Sequence, residues 1–302
     1  MLRIRHHGRG GQGIKTASQI LGSAAFYSGF QVQDFPLYGA ERRGAPIIAG
    51  ARIDRSPILE RGPIIHPDIL LVGDETLLED PLANPLAGAD DSTLIFINST
   101  HPADQLKKHF KFTHTPIAVD LTELGERHIR HGRFLSASLA AAGARLMGNI
   151  SLDCLLRAVR SELLEHGVSG EVLEKNLDLA REIFERVEPK PLNLRKNKTE
   201  LRPGRLVHLQ QRAVKDAAPI IMAAGNMGLK KTGNWRMERP VINYEKCNDC
   251  LICFVRCPDG AVGIREDCKP EIDYDHCKGC LICAQECPTH AIDILKEAPS
   301  WA

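Results

Sequence analysis

The sequence has almost no excess charge and no long apolar run. Its 39 Lys and Arg balance 38 Asp and Glu, so composition does not point to a nucleic acid or a membrane surface as a partner. No apolar run approaches the roughly 18 to 20 residues that span a bilayer, and the opening MLRIRHHGRGGQG lacks the apolar core of a signal peptide. These absences predict a soluble, cytoplasmic chain, and 302 residues are enough for two domains.

Cysteine is scarce in most of the chain, because nine of the ten cysteines follow residue 246. The exception, Cys154, lies in the apolar stretch SLDCLLRAV and is predicted to be a small buried side chain. Near the C-terminus, CNDCLICFVRCP begins at Cys247 and CKGCLICAQECP begins at Cys277. Both read C-x2-C-x2-C-x3-C-P, the spacing of bacterial ferredoxins that hold two 4Fe–4S clusters.

In that motif three cysteines of a run surround one cluster, and the fourth, before proline, binds the other cluster. Structural zinc is the alternative, but it usually pairs C-x2-C units without a third cysteine at the same step. Disulfides would need an oxidising compartment. Cys268 falls outside the spacing and is predicted to be a free thiol. The predicted ligands are Cys247, Cys250, Cys253 and Cys287 for the first centre, and Cys277, Cys280, Cys283 and Cys257 for the second.

A glycine-rich loop, Gly8-Arg9-Gly10-Gly11-Gln12-Gly13, separates a predicted strand (2–7) from a predicted helix (14–28). Such a loop lets the backbone approach a phosphate, and the helix N-terminus supplies free N–H groups and a positive dipole end. Gly8, Gly10 and Gly13 also satisfy G-x-G-x-x-G, and Asp34 follows at the offset of a ribose-binding acid. A nicotinamide dinucleotide site is therefore one alternative, and a purely structural turn is another.

Arg42 and Arg43 lie in a predicted loop between Gly39 and Gly44, after a predicted strand at 30–36 and before one at 47–54. Arginine forks match phosphate oxygens, so this pair favours an anionic ligand over a ribose hydroxyl. A solvated or interface charge pair is the alternative.

GRGGQG, followed by FPLYGAERRGAP and a strand, resembles the gamma subunit of 2-oxoacid:ferredoxin oxidoreductases, of which the pyruvate type is best known. The resemblance covers about the first 190 residues. It implies a domain that packs against a thiamine-diphosphate subunit and helps to hold coenzyme A. By this resemblance, the residues near the coenzyme A phosphates are Gly10, Gly11, Gln12, Gly13, Arg42 and Arg43.

The rest of this domain, predicted over residues 1–188, keeps an α/β pattern. Gly73 and Asp74, with Asn98 downstream, faintly echo the G-D-G…N thiamine-diphosphate motif, but Glu75 replaces the second glycine, so no thiamine site is predicted. His6 and His7 could face a ligand or could be hydrogen-bonded at the end of the strand. Further strands are predicted at 68–73, 93–99 and 116–121, and helices at 101–110, 134–147, 151–164 and 170–187.

Residues 189–240 have no convincing period and carry twelve Lys or Arg against three Asp or Glu. This basic connector is predicted to lie across a partner subunit, with a flexible linker as the alternative. RNA binding is not predicted, because Trp235 is its only aromatic residue. Residues 241–302 carry six basic against eleven acidic residues and form the predicted small α+β ferredoxin domain, with AVGIRED and KPEIDYDH as hairpin strands.

KTGNWRMERPVIN, before the first cysteine run, resembles the opening of the delta subunit of the same oxidoreductases, so the chain resembles gamma and delta subunits fused end to end. The implied reaction converts a 2-oxoacid, coenzyme A and two oxidised ferredoxins to acyl-CoA, carbon dioxide and two reduced ferredoxins. The implied partners are alpha and beta subunits, which hold thiamine diphosphate and Mg, and a ferredoxin. No catalytic residue is predicted on this chain. The alternatives are a 2-oxoacid or oxalate enzyme that does not use coenzyme A, or an iron–sulfur adaptor of an unrelated redox enzyme.

Overall fold

The computed structural model describes residues 1–37, 44–80, 83–129, 134–189 and 231–297. Of these, a first compact unit holds 1–189 with 235–239 and 295–297, and a second holds 231–234 and 240–294. No helix within the described ranges is long and apolar enough to cross a membrane. Most of the predicted connector lies outside these ranges, so its extent, 189–240, stays a prediction.

The first unit alternates strands and helices, and every predicted element is present with shifts of one or two residues at its ends. Its elements are β1 (Leu2–Arg9), α1 (Ile14–Tyr27), β2 (Gln31–Leu37), β3 (Pro46–Asp54), β4 (Ile69–Val72), a 3-10 helix (Glu75–Glu79), β5 (Leu94–Asn98), α2 (Ala103–Phe110), β6 (Ile117–Val119), α3 (Leu121–His128), α4 (Leu135–Met147), α5 (Leu152–Glu165) and α6 (Gly170–Arg186). The 3-10 helix and α3 were not expected from the sequence.

The strands of this unit form one six-stranded sheet in the order β2-β3-β1-β4-β5-β6. β1, β4, β5 and β6 run parallel, whereas β3 is antiparallel to both β1 and β2. All four residues of β4 are buried, as expected of a central parallel strand. The carboxyl ends of the parallel strands meet at one edge, where open α/β sheets bind their ligands.

The small residues of α4 allow close packing, as its sequence predicts. α1 packs against α4 and α5, and α4 also packs against α6. A Cβ added at Gly143 of α4 would lie 2.9 Å from the side chain of Leu71 and 3.0 Å from that of Leu21. A larger residue at position 143 would therefore force the side chains of Leu71 and Leu21 to shift where α4 crosses the sheet and α1.

The order of the strands excludes the dinucleotide alternative for Asp34. Asp34 on β2 is paired with Ala51 on β3, which is itself paired with Ile4 in the middle of β1. A ribose-binding acid ends a parallel strand directly beside β1, whereas here β3 separates the two strands. The Asp34 carboxylate instead accepts a hydrogen bond from Ser18 of α1, and burial raises its pKa to about 6.

The second unit is built from two matching halves. The Tyr244 hydroxyl donates to the carbonyl of Pro270 at 3.0 Å, and the Tyr274 hydroxyl, thirty positions on, donates to the carbonyl of Pro240 at 2.9 Å. The predicted hairpin is confirmed as the β8–β9 pair, and β7 begins inside the predicted connector. The elements are β7 (Glu238–Ile242), α7 (Ile252–Arg256), β8 (Val262–Ile264), β9 (Pro270–Ile272), α8 (Ile282–Gln285) and β10 (Ile292–Lys296), with β7 paired to β10.

Candidate metal centres and anion site

Two cavities in the second unit are lined by the two predicted sets of cysteines. In each set, three cysteines come from one run and the fourth from the other run. The first cavity is lined by Cys247, Cys250, Cys253 and Cys287. The second is lined by Cys277, Cys280, Cys283 and Cys257. The exchange of fourth cysteines that the motif predicts is therefore present in the fold.

Left-handed backbone wraps each run around its cavity. Leu251, between the second and third cysteines of the first run, has φ 58°, and Leu281 has φ 62° at the matching position. After each fourth cysteine the chain turns back, so that the N–H of Ala261 donates to Sγ of Cys257 at 3.3 Å. The matching N–H of Ala291 donates to Sγ of Cys287 at 3.2 Å. N–H donors to sulfur are among the groups that tune bound iron–sulfur clusters.

The cysteine environment fits a cluster. Burial raises the pKa of the Cys283 thiol to about 12, so a metal centre must displace this proton to bind the thiolate. Within the described ranges, no three His, Cys, Asp or Glu side chains are grouped to hold a single metal ion. A cluster needs no such convergence, because each thiolate meets a different iron atom.

The two remaining cysteines lie outside both cavities. Cys268 is exposed in the turn between β8 and β9, and that it is a free thiol stays a prediction. Cys154 on α5 packs against the apolar core but is only half-buried, because it lies at the margin of that core rather than inside it.

The glycine-rich loop joins β1 to α1 at the carboxyl edge of the sheet. Gly13 precedes α1 with φ 79°, in the left-handed region, and the first turn of α1 contains no acidic residue. The N–H of Gly10 donates to the carbonyl of Ala45 at 2.8 Å, which ties the loop to the start of β3. Among the described residues, the N–H groups of Gly11 and Gly13 meet no acceptor. These two donors and the positive end of α1 suit an anion.

Gln12 holds the loop in place through both ends of its carboxamide. Its Oε1 accepts from the backbone N–H of Arg9 at 2.7 Å, and its Nε2 donates to Oδ2 of Asp74 at 2.9 Å. Arg9 Nε also lies 3.1 Å from that oxygen, and its side chain is only 2 % exposed. The other oxygen of Asp74 accepts from the N–H of Thr76 at 3.0 Å, capping the 3-10 helix. Asp74 is thus an anchor for the loop.

A second polar cluster at this edge was not expected from the sequence. Glu75, which is buried, accepts hydrogen bonds from the hydroxyl of Ser99 and from Nδ1 of His101, the latter at 3.0 Å. Nearby, Asn98 Nδ2 donates to the carbonyl of Gly73 at 3.0 Å, joining the ends of β4 and β5. The available signal was the run of polar residues that directly follows each of these two buried strands.

Other residues singled out from the sequence are not brought to this edge. Arg42, Arg43 and Gly39 lie outside the described residues, and their role stays a prediction. His6 and His7 are buried inside β1, which extends to Arg9 rather than ending at His7. Burial lowers their pKa values to about 4 and about 3, so both imidazoles are neutral at pH 7.

Comparison with known proteins finds a family match in each of the two units. The profile of the family described as "Pyruvate ferredoxin/flavodoxin oxidoreductase" matches residues 3–186, and that of the "4Fe-4S binding domain" matches residues 270–293. The chain is 35 % identical over 189 residues to the pyruvate/ketoisovalerate oxidoreductases common subunit gamma of Pyrococcus furiosus, covering 62 % of this chain and 98 % of the relative.

Two further relatives are also named as subunits, one of a pyruvate synthase and one of a pyruvate oxidoreductase. The pyruvate synthase subunit PorC of Methanothermobacter thermautotrophicus is 33 % identical over 196 residues, with 64 % of this chain and 100 % of the relative covered. The crystal structure of the pyruvate oxidoreductase subunit PORC of Thermotoga maritima superposes with a TM-score of 0.51 at 31 % identity, covering 61 % of this chain and 95 % of that one.

Proposed function

The chain belongs to the pyruvate ferredoxin/flavodoxin oxidoreductase family and carries a 4Fe–4S binding domain on the same polypeptide, and we propose that it is the electron-transfer and coenzyme A-side subunit of a thiamine-diphosphate-dependent 2-oxoacid:ferredoxin oxidoreductase. It is thus a subunit of an oxidoreductase. The observation that carries the proposal is the pair of cavities, each lined by three cysteines of one run and one of the other.

The second unit has the residues to hold two clusters. Bound 4Fe–4S clusters supply one-electron transfer. The eight cysteines that line the cavities would hold the two centres, and the N–H groups of Ala261 and Ala291 donate to Sγ of Cys257 and Cys287. The small apolar core formed by Val262, Ile272 and Ile292 lies against both sets. A domain of this size gains much of its stability from such centres.

The first unit would bind the phosphates of coenzyme A at the glycine-rich loop. The N–H groups of Gly11 and Gly13 and the positive end of α1 attract the anion, while Gln12 keeps the loop in shape through Asp74. By resemblance, Gly10, Arg42 and Arg43 complete this site.

The proposed partners are alpha and beta subunits, which would hold thiamine diphosphate and Mg and carry out the carbon chemistry, and a ferredoxin that accepts the electrons. Pyruvate is the proposed 2-oxoacid, because relatives over the first unit are named for pyruvate or ketoisovalerate. The basic connector, 189–240, is proposed to lie on a partner subunit.

Iron content and electron paramagnetic resonance of the full chain, prepared anaerobically, test the cluster assignment. We expect eight iron atoms per chain and a signal on reduction. Cys253→Ser should lose one cluster, whereas the matched control Cys268→Ser should keep both, since Cys268 lines neither cavity. Zinc in place of iron, or unchanged iron in Cys253→Ser, would contradict the assignment.

A dye-reduction assay of the complex with its partner subunits tests the reaction. Pyruvate and other 2-oxoacids are supplied with and without coenzyme A, with a viologen as electron acceptor. We expect reduction with pyruvate only when coenzyme A is present. Equal rates without coenzyme A, or tight binding of NADH, would contradict the proposed coenzyme A role of the glycine-rich loop.

A further inference from the structure

The thirty-residue repeat in the second unit allows the two candidate centres to be compared position by position. Asn248 follows the first cysteine of the first run, and Lys278 holds the matching place in the second. Two residues after the fourth cysteines, Asp259 corresponds to Thr289. Asn248 and Thr289 line the first cavity, and Lys278 and Asp259 line the second. At these two matching positions, the lining residues are thus uncharged in the first cavity and charged in the second.

Lys278 and Asp259, which both line the second cavity, form an ion pair. Nζ of Lys278 lies 3.0 Å from Oδ2 and 3.1 Å from Oδ1 of Asp259, with side chains 24 % and 17 % exposed. Lys278 directly follows Cys277, and Asp259 lies two residues after Cys257, so the pair links two cysteines of the same set. Partly buried charges are screened by solvent far less than exposed ones.

The first cavity has a neutral donor at the place of Asp259. The hydroxyl of Thr289 lies 3.7 Å from Sγ of Cys287, the cysteine that the second run contributes to the first set. A thiolate can only accept, so the Thr289 hydroxyl would be the donor once the cysteine is bound to iron.

We propose that Lys278 and Asp259 set the reduction potential of the second centre separately from that of the first. Reduction adds negative charge to a cluster, and a nearby cation stabilises that charge, while a carboxylate opposes it. Lys278 therefore raises the potential of the second centre and Asp259 lowers it, and the hydroxyl of Thr289 raises that of the first. The two centres are inequivalent despite their shared ligand pattern. This inference rests on the proposed cysteine ligation.

Redox titration of the full chain, followed by electron paramagnetic resonance, tests the proposal. The two centres should be reduced in two separate steps, each seen as a wave in the titration. The wave whose potential shifts in Thr289→Val is assigned to the first centre. Lys278→Met should move the other wave to lower potential and Asp259→Asn should move it to higher potential, each by a three- to tenfold change in the one-electron equilibrium constant, up to about 59 mV. Lys278→Arg, which keeps the charge, should titrate as the wild type.

Lys296→Met is the matched control, because Lys296 is 80 % exposed and lines neither cavity. It should leave both waves in place. Lys278→Met and Asp259→Asn chains with full iron content whose waves do not move, or move in the same direction, would overturn the tuning role. A wild-type chain without iron for two clusters would instead overturn the ligation.

Discussion

Nε2 of Gln12 donates to Oδ2 of Asp74 across 2.9 Å, which joins the loop after β1 to the loop after β4. The same oxygen lies 3.1 Å from Nε of the buried Arg9. One carboxylate therefore fixes a side chain of the glycine-rich loop, the end of β1 and, through Thr76, the start of the 3-10 helix. The shape of the proposed phosphate site depends on a residue that does not belong to the glycine motif.

Asp74→Ala should destabilise the first unit by about 3 kcal/mol, because it leaves the guanidinium of Arg9 buried without its carboxylate. Hydrogen exchange of the amides in β1 and α1, measured in the full chain, would report the loss. Asp91→Ala, at an exposed position, is the control and should change stability by less than about 0.5 kcal/mol. Equal protection in both variants would show that Asp74 does not anchor the loop.

Gly13→Ala should cost more stability than Gly29→Ala, although both positions have positive φ. The φ angles are 79° and 84°, so each substitution bears a left-handed penalty of about 1 to 2 kcal/mol. A Cβ at Gly13 would also lie 3.1 Å from Cβ of Ser136, whereas nothing lies within 4 Å of one at Gly29. Thermal unfolding would measure the difference, and only Gly13→Ala should weaken coenzyme A binding. Indistinguishable variants would contradict the crowding by Ser136.

Asp34→Asn should stabilise β2 and α1 above pH 6 but not at acidic pH. Burial raises the pKa of Asp34 from 3.8 to about 6, so the folded state holds this proton more tightly than the unfolded state. The stability contributed by the protonated form is therefore lost as the pH rises from 3.8 to about 6. At neutral pH, the buried charge costs about 3 kcal/mol of folding stability.

Hydrogen exchange of the same amides in wild-type and Asp34→Asn chains, compared at pH 4 and at pH 8, checks this prediction. Protection should be greater in the variant at pH 8 and nearly equal at pH 4. A constant difference at both values would mean that Asp34 does not titrate in this range. Asp91→Asn, at an exposed position, provides the control.

Tyr244→Phe and Tyr274→Phe should destabilise the second unit by similar amounts, about 1 kcal/mol each. The two hydroxyls make matching hydrogen bonds of 3.0 and 2.9 Å to the carbonyls of Pro270 and Pro240. Loss of visible cluster absorbance in guanidinium chloride would follow unfolding of this unit. A large difference between the two variants would show that the halves do not share the stabilisation equally.

Local patterns in the sequence predicted the elements of the first unit well, because buried strands and amphipathic helices carry their own periods. The pattern of apolar residues in β3 is the same whether the strand pairs parallel or antiparallel. Its orientation beside β1 therefore could not be predicted from the sequence, and neither could the position of Asp34 on the neighbouring strand β2. α3 was not predicted, although the sequence has an N-cap residue, Asp120, directly before it. In the structure, the Asp120 side chain accepts a hydrogen bond from the N–H of Glu123 at 2.8 Å.

The cysteine sets were predictable from spacing because the motif itself specifies which run supplies each cysteine. The anchoring of the glycine-rich loop was not, because Asp74 lies more than sixty residues after Gln12 and only sheet pairing brings the two together. The ion pair between Lys278 and Asp259 was hidden for the same reason: neither residue belongs to the repeated cysteine pattern, and their contact depends on the fold that brings the two runs together.

Each cavity in the second unit is closed by a cysteine from the opposite half. A chain cut between Cys257 and Cys277 would therefore leave two fragments, neither of which carries a complete wall for either cavity. The two halves therefore cannot serve as independent single-centre modules, because each centre needs cysteines from both halves.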